Sequence, residues 1–157
     1  MIGLVQSYIK FKKEVVFMNF WYEIAKIQPS QLFLNESKLA VLRARLLVNE
    51  QLQISKLKPI PIKRLNGVLF YTDGHHTAFI TAQSGFSHVL GYREEEELDW
   101  DLYEICIGWC SKVGITTISD LASRILPNDE YEKQWIGRCR KAQQELQEAN
   151  RRDQSTN

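Results

Sequence analysis

Apolar Phe20, Tyr22 and Ile24 alternate with more polar neighbours, which predicts a half-buried strand over residues 20–27 that Pro29 closes. Helical spacing takes over after Asn35. Leu39, Leu42 and Leu46 recur on one face, so a helix is expected to start near residue 36 with Asn35 as its N-cap. A loop is expected through 49–58. Beyond it, Ile60 and Ile62 flank Pro61, Val68 to Tyr71 is a second β-rich run, and Asn66-Gly67 between them is a strong hairpin signal. Pro59 and Pro61 have no N–H to give to a ladder, so the first of these strands is expected at a sheet edge.

Thr72-Asp73-Gly74 ends the second strand, and Ala78, Phe79 and Ala82 then share a helical face that opens at His75 and stops at Gly85. Phe86 to Tyr92 reads as a short strand, and residues 99–113 as a helix with Ile105 and Trp109 on its apolar face. Thr117 or Ser119 caps a short helix holding Leu121 and Ile125, and Pro127 breaks it. Asn128 is expected to cap a last helix, rich in Lys, Arg, Glu and Gln, that frays after about residue 147.

Residues 1–18 carry an amphipathic pattern with a lysine cluster, expected as a docked helix or a loose segment, and Met18 is a second candidate start. The pattern is mixed strand and helix up to residue 98 and helical afterwards. The expected organisation is therefore an N-terminal extension (1–19), an α+β domain with a small mixed sheet (20–98), a helical C-terminal extension (99–150) and a frayed tail (151–157).

Composition narrows the function classes. With 157 residues, 44% hydrophobic and 25% charged, the chain is an ordinary globular domain. A formal net charge of +1 provides no global basic field for nucleic acid, so any DNA contact would be local. Apolar runs fall short of the ~20 residues that span a bilayer. Lys10, Lys12, Lys13 and Glu14 interrupt what would be a signal-peptide core, so a cytoplasmic location with no membrane partner is expected. Cys106, Cys110 and Cys139 lie in helical patterns without C-x-x-C pairing and are expected to be reduced and mostly buried.

The segment that carries chemistry is Val68-Leu69-Phe70-Tyr71-Thr72-Asp73-Gly74-His75-His76-Thr77-Ala78-Phe79. A buried strand here delivers an acid, a glycine and two histidines into the first turn of a helix. Exposed N–H groups and the helix dipole favour phosphate at such a point, Gly74 permits a sharp turn beside a ligand, and the histidines can donate hydrogen bonds. Asp73 at the rim suits Mg²⁺, a substrate hydroxyl or the turn itself. Asp-Gly is also a common turn dipeptide, and a His pair at a helix start can simply be solvated. Zinc is disfavoured, because His75 and His76 are adjacent and His88 is the only other histidine.

This strand-Asp-Gly-His-His-helix segment, preceded by Lys58-Pro59-Ile60-Pro61-Ile62 and the Asn66-Gly67 hairpin, resembles the ParB/sulfiredoxin superfamily over about residues 20–93. Ile27-Gln28-Pro29-Ser30-Gln31-Leu32, with Glu36 opening the next helix, is similar to the corresponding segment of the free serine kinase-like branch. The resemblance implies a nucleotide-binding protein, possessing a phosphotransferase site for ATP or ADP, or CTP, with Mg²⁺ and a small hydroxylated acceptor. It implies nucleotide contacts at Gly74, His75, His76 and Thr77, Mg²⁺ at Asp73, and catalytic roles for Glu36 as base, Asp73 and His75.

Other branches fit less well. Sulfiredoxins place a cysteine before the histidine, where Gly74 stands here. Partition proteins carry an arginine-rich turn and a helix-turn-helix, whereas the C-terminal part here shows no basic recognition helix beyond Arg138, Arg140 and Lys141, which are interspersed with glutamates. Family members usually have an arginine just after the histidine, and His76 and Thr77 occupy those places, which leaves phosphate charge to Lys56, Lys58, Arg93 or Mg²⁺. The alternative is a nonenzymatic nucleotide-sensing or DNA- or partner-binding module of the plasmid or mobile-element partition type. A nuclease ranks behind both, since no carboxylate cluster accompanies the turn. Glu94 to Glu97 read as a solvated run, and Trp21, Trp100, Trp109 and Trp135 as packing residues.

Overall fold

The computed structural model describes residues 4–10 and 15–156, with side chains from Met18 to Thr156. The fold is α+β. Strands β1 (Leu4–Lys10) and β2 (Val15–Glu23) pair antiparallel, with Ser7 opposite Met18 and Ile9 opposite Val16. The expected helical or loose N-terminal segment is thus corrected: residues 4–10 are a sheet strand, drawn there by a β2 that begins five residues before the alternation at Phe20. Residues 1–3 and 11–14 lie outside the described residues. The expected strand over 20–27 ends early, since β2 stops at Glu23 and a 3₁₀ turn over Ile24–Lys26 follows.

The two-residue strand β3 (Leu34–Asn35) leads into helix α1 (Glu36–Leu46), capped as expected: the Asn35 side chain accepts from the N–H groups of Ser37 and Lys38. The expected loop over 49–58 holds a small hairpin of β4 (Leu47–Val48) and β5 (Gln51–Leu52), then a 3₁₀ turn over Ile54–Lys56.

Strands β6 (Ile60–Leu65) and β7 (Val68–Tyr71) form the predicted hairpin, with Asn66 and Gly67 at φ 52° and 79° as a type I′ turn requires. After helix α2 (His75–Gln83), strand β8 (His88–Arg93) completes a five-stranded mixed sheet in the order β1-β2-β8-β6-β7. Hence β6 is an interior strand, parallel to β8 and antiparallel to β7, and the edge position inferred from its prolines is corrected. Ile62 O accepts from Glu94 N–H on the β8 side, so Pro61, one residue earlier, turns its backbone toward β7. There β7 has ended, and only the Pro61 carbonyl is used, by Thr72 N–H. The open side of β7 is covered by Gln28, whose N–H donates to Leu69 O and whose carbonyl accepts from Tyr71 N–H.

Residues opposite one another in a ladder share a face. Tyr22, Val89, Ile60, Ile62 and Tyr71 therefore lie on one side, in the same buried cluster as Ala78, Phe79 and Ile80 of α2. The other side offers Phe70 to the rings of Trp100 and Tyr103 on helix α3 (Trp100–Lys112). A 3₁₀ segment over Ile118–Ser123 has a capping box between Thr117 and Asp120, and β9 (Ile125–Leu126) then pairs with β3. Pro127, not Asn128, is the N-cap of helix α4 (Asn128–Tyr131). A π-helical turn over Glu132–Ile136 joins α4 to helix α5 (Gly137–Ser155). The helix continues through the residues expected to fray. Cys106, Cys110, Tyr131 and Trp135 bring this C-terminal part into the same core as the sheet.

Candidate functional site

The site is built where β7 hands over to α2. Asp73 is exposed, and its Oδ1 accepts the Gly74 N–H at 2.7 Å. Gly74 is required twice over. Its φ of 77° is left-handed, and a Cβ added there would lie 2.8 Å from Cγ2 of Ile60. The first helical bond runs from Ala78 N–H to Gly74 O, and among the described residues no side chain caps the N-terminus. The amides of His75, His76 and Thr77 therefore stand outside the helix's own ladder at its positive end.

The two imidazoles turn inward. Nε2 of His75 accepts the Ser30 N–H at 2.9 Å, while Ser30 Oγ donates to Tyr71 O at 2.6 Å. Nε2 of His76 accepts the Asn35 N–H at 2.8 Å. Accepting at Nε2 places the proton of each neutral ring on Nδ1. Burial, with a contribution from His76, pushes His75 down to about 3. His76 falls to about 4 through burial and Lys38, opposed by Asp73. Both rings are neutral at physiological pH.

The histidines thus have a structural task as well. Nε2 of each ring satisfies a backbone N–H group that the packed segment 30–35 would otherwise bury unpaired, so only the Nδ1–H side of each is left to donate. Nothing local in the sequence signals this, because the partners are 45 and 41 residues away. Among the described residues Nδ1 of His75 has no hydrogen-bond partner. Thr77 is half-buried, and its carbonyl accepts from Thr81 Oγ1.

Because Asn35 is both the partner of His76 and the N-cap of α1, the structure brings the starts of α1 and α2 together, with exposed Glu36 next in the chain. Between α1 and α4 lies a groove of about 430 Å³. Asn35, Ser37, Lys38, His76, Asn128 and Glu132 provide its polar lining, and Val41 and Leu42 its apolar wall. Lys38, which the sequence reading did not single out, is the cation of this groove. Its Nζ lies 5.8 Å from the centre of the Tyr131 ring. Lys56 and Lys58 are not in the lining, and Arg93 borders a different cavity.

No family model matches the chain, and no curated protein does. Protein Atu1540 from Agrobacterium tumefaciens is similar in structure. The match has a TM-score of 0.40 at 14% identity and covers 62% of this chain and 49% of that one. The chain thus spans about half the length of this neighbour.

The other sequence candidates sort by burial. Glu94 is buried and accepts Glu96 N–H at 3.1 Å, whereas Glu95, Glu96 and Glu97 are exposed, so the solvated run begins one residue later than expected. The cysteines are free. Cys110 Sγ donates to Gln31 O, and burial raises its thiol to about 12, which removes it as a nucleophile. Arg138 stacks over Trp109 at 4.2 Å, and Trp109 meets Trp135 edge-on. Part of the basic set on the last helix is therefore engaged in packing. No helix among the described residues is long and apolar enough to cross a membrane.

Among the described residues no three His, Cys, Asp or Glu side chains are grouped to hold a metal. Mg²⁺ asks for less, being commonly held by one or two carboxylates together with substrate phosphates. Asp73, exposed and with only Oδ1 hydrogen-bonded, suits that mode.

Proposed function

We propose that this chain is a nucleotide-binding protein of the ParB/sulfiredoxin type, taking the phosphates of ATP, ADP or CTP at the N-terminus of α2. The observation that carries the reading is the uncapped first turn of α2, held by Gly74 in a left-handed conformation and bordered by a groove containing Lys38. Backbone amides and a helix dipole bind phosphate without any charged side chain, and Lys38 provides a point charge close by. Mg²⁺, when bound, would be held by Asp73 and would neutralise phosphate charge.

Transfer to a small hydroxylated acceptor is the finer form of this proposal. Phosphoryl transfer asks mainly for positioning and charge neutralisation. On this proposal Glu36, exposed and next in the chain to the groove residues Asn35 and Ser37, orients or deprotonates the acceptor hydroxyl. His75, buried and neutral, plays no part as an acid or cation, and its role is to hold Ser30. The engagement of both imidazoles favours a second reading, a module that binds nucleotide and reports it to a partner without turnover. Calorimetric titration with ATP, ADP and CTP, with and without Mg²⁺, tests the shared core. Binding below millimolar concentration supports it, and none at millimolar overturns it. Product formation with a hydroxyl amino acid then separates transfer from sensing.

A further inference from the structure

The sheet carries a second cavity, about 560 Å³, which shares no lining residue with the groove between α1 and α4 and is lined by Phe20, Tyr22, Ile62, Leu69, Arg64 and Arg93, with Lys63 at its border. The ladders explain its make-up. Phe20 and Tyr22 of β2 face the same side as Gly91 and Val89 of β8. Ile62 of β6 lies opposite Arg93 of β8 and Tyr71 of β7, and Arg64 lies opposite Leu69. Phe20, Tyr22, Ile62, Leu69, Arg64 and Arg93 therefore share one sheet face, with an apolar floor and two guanidinium groups above it.

Those two cations are unbalanced. Arg64 sits two residues along β6 from the partner of Arg93, so they are diagonal neighbours of like charge. Among the described residues no carboxylate lies within 4.0 Å of either, and the one bond of Arg64 is a long 3.4 Å contact from Nη1 to Gly67 O. Among the described residues, none of the strand side chains on this face is acidic. Lys63 does not join them, because its Nζ lies 4.9 Å from the centre of the Trp100 ring on the other side of the sheet. Both arginines nevertheless act on the same phenol, drawing the Tyr22 hydroxyl down against the rise that burial causes. Gly91 keeps the floor low: a Cβ there would lie 2.7 Å from Cδ1 of Ile62.

We propose that this groove is a second ligand site, for a small organic carboxylate with a flat apolar body. Guanidinium groups match carboxylates in a planar, bidentate geometry, and a floor of aromatic and aliphatic side chains takes the body. The bound anion supplies the counter-charge that the described residues of this face do not.

The test compares 2-naphthoate with the uncharged 2-naphthamide by NMR titration of the full chain. The expected result is saturable shifts at Phe20, Ile62, Arg64, Leu69 and Arg93, with the carboxylate binding about tenfold tighter than the amide. Arg64→Gln with Arg93→Gln, both at exposed positions, should abolish that preference with the fold intact by circular dichroism. Lys38→Ala, which weakens nucleotide binding on the reading above, should leave 2-naphthoate affinity unchanged, so the two sites fail or stand separately. Equal binding of the two probes, an undiminished preference in the double variant, or shifts confined to the groove between α1 and α4 would each overturn the proposal.

Discussion

Nε2 of His76 accepts the backbone N–H of Asn35 at 2.8 Å, while the Asn35 side chain caps α1, so one residue pair fixes the starts of both helices. Together with the His75 to Ser30 bond, this ties the segment before α1 to the first turn of α2. The α2 amides are thereby positioned by neutral imidazoles whose Nε2 atoms are taken up by the Ser30 and Asn35 N–H groups.

The pH dependence of stability follows from that tie. The unfolded histidines titrate near 6.5, and in the fold His75 and His76 lie at about 3 and about 4. Groups whose folded values are depressed leave the unfolded state holding more protons, so their stabilisation is full above pH 6.5 and is lost as pH falls toward the folded values. Urea midpoints should decline steadily from pH 7 to pH 5, a window above most carboxylate titration. His76→Asn should flatten part of that slope while lowering stability at pH 7 by about 1–3 kcal/mol, the cost of an unpaired buried amide. Midpoints independent of pH across this window would contradict the assignment.

Gly74 and Gly67 make a controlled comparison. Both have positive φ, 77° and 79°, but an added Cβ meets Ile60 at 2.8 Å at Gly74 and open space at Gly67. Gly67→Ala should cost about 1 kcal/mol for backbone strain. Gly74→Ala should cost about 1–3 kcal/mol more, from the added overpacking. Equal losses in denaturant unfolding would show that the Ile60 contact yields freely.

The hairpin and the helix starts were legible because their signals are local: Asn66-Gly67 for the turn, Asn35 for the cap, and Thr72-Asp73-Gly74 for the α2 turn. The position of β6 was not. Pro61 marks an edge by propensity, yet only alternation of its neighbours across β8 and a β7 that stops at Tyr71 leave its missing N–H harmless. The engagement of the histidines is hidden from the sequence for a similar reason. Their residue type suggested donors, whereas burial and the distant N–H groups of Ser30 and Asn35 made them acceptors. Lys38 went unnoticed, since only the packing of α4 against β3 gives it a groove to line.

Glu36 and Asp73 should separate by variant. Glu36→Gln is expected to leave nucleotide affinity within about twofold and to abolish transfer to a hydroxylated acceptor, since a general base typically contributes ~10²–10⁴-fold. Asp73→Asn should weaken binding only when Mg²⁺ is present. Parallel calorimetry and product assays decide this, and unchanged turnover in Glu36→Gln would remove it from the mechanism.

Lys38 is the charge test of the groove. Lys38→Ala should weaken ATP binding by about tenfold and reduce its salt dependence, with little change in stability because the side chain is exposed. An affinity equal to that of the parent chain would move the phosphates away from the α1 side.

The central claim, phosphate at the α2 N-terminus, is tested most directly by following the backbone amides of His75, His76 and Thr77 in ¹H–¹⁵N spectra during titration with ATP and Mg²⁺. The account predicts saturable downfield shifts of these three amides, with inorganic triphosphate reproducing them and adenosine not. Saturable binding that leaves all three amides unmoved would contradict it.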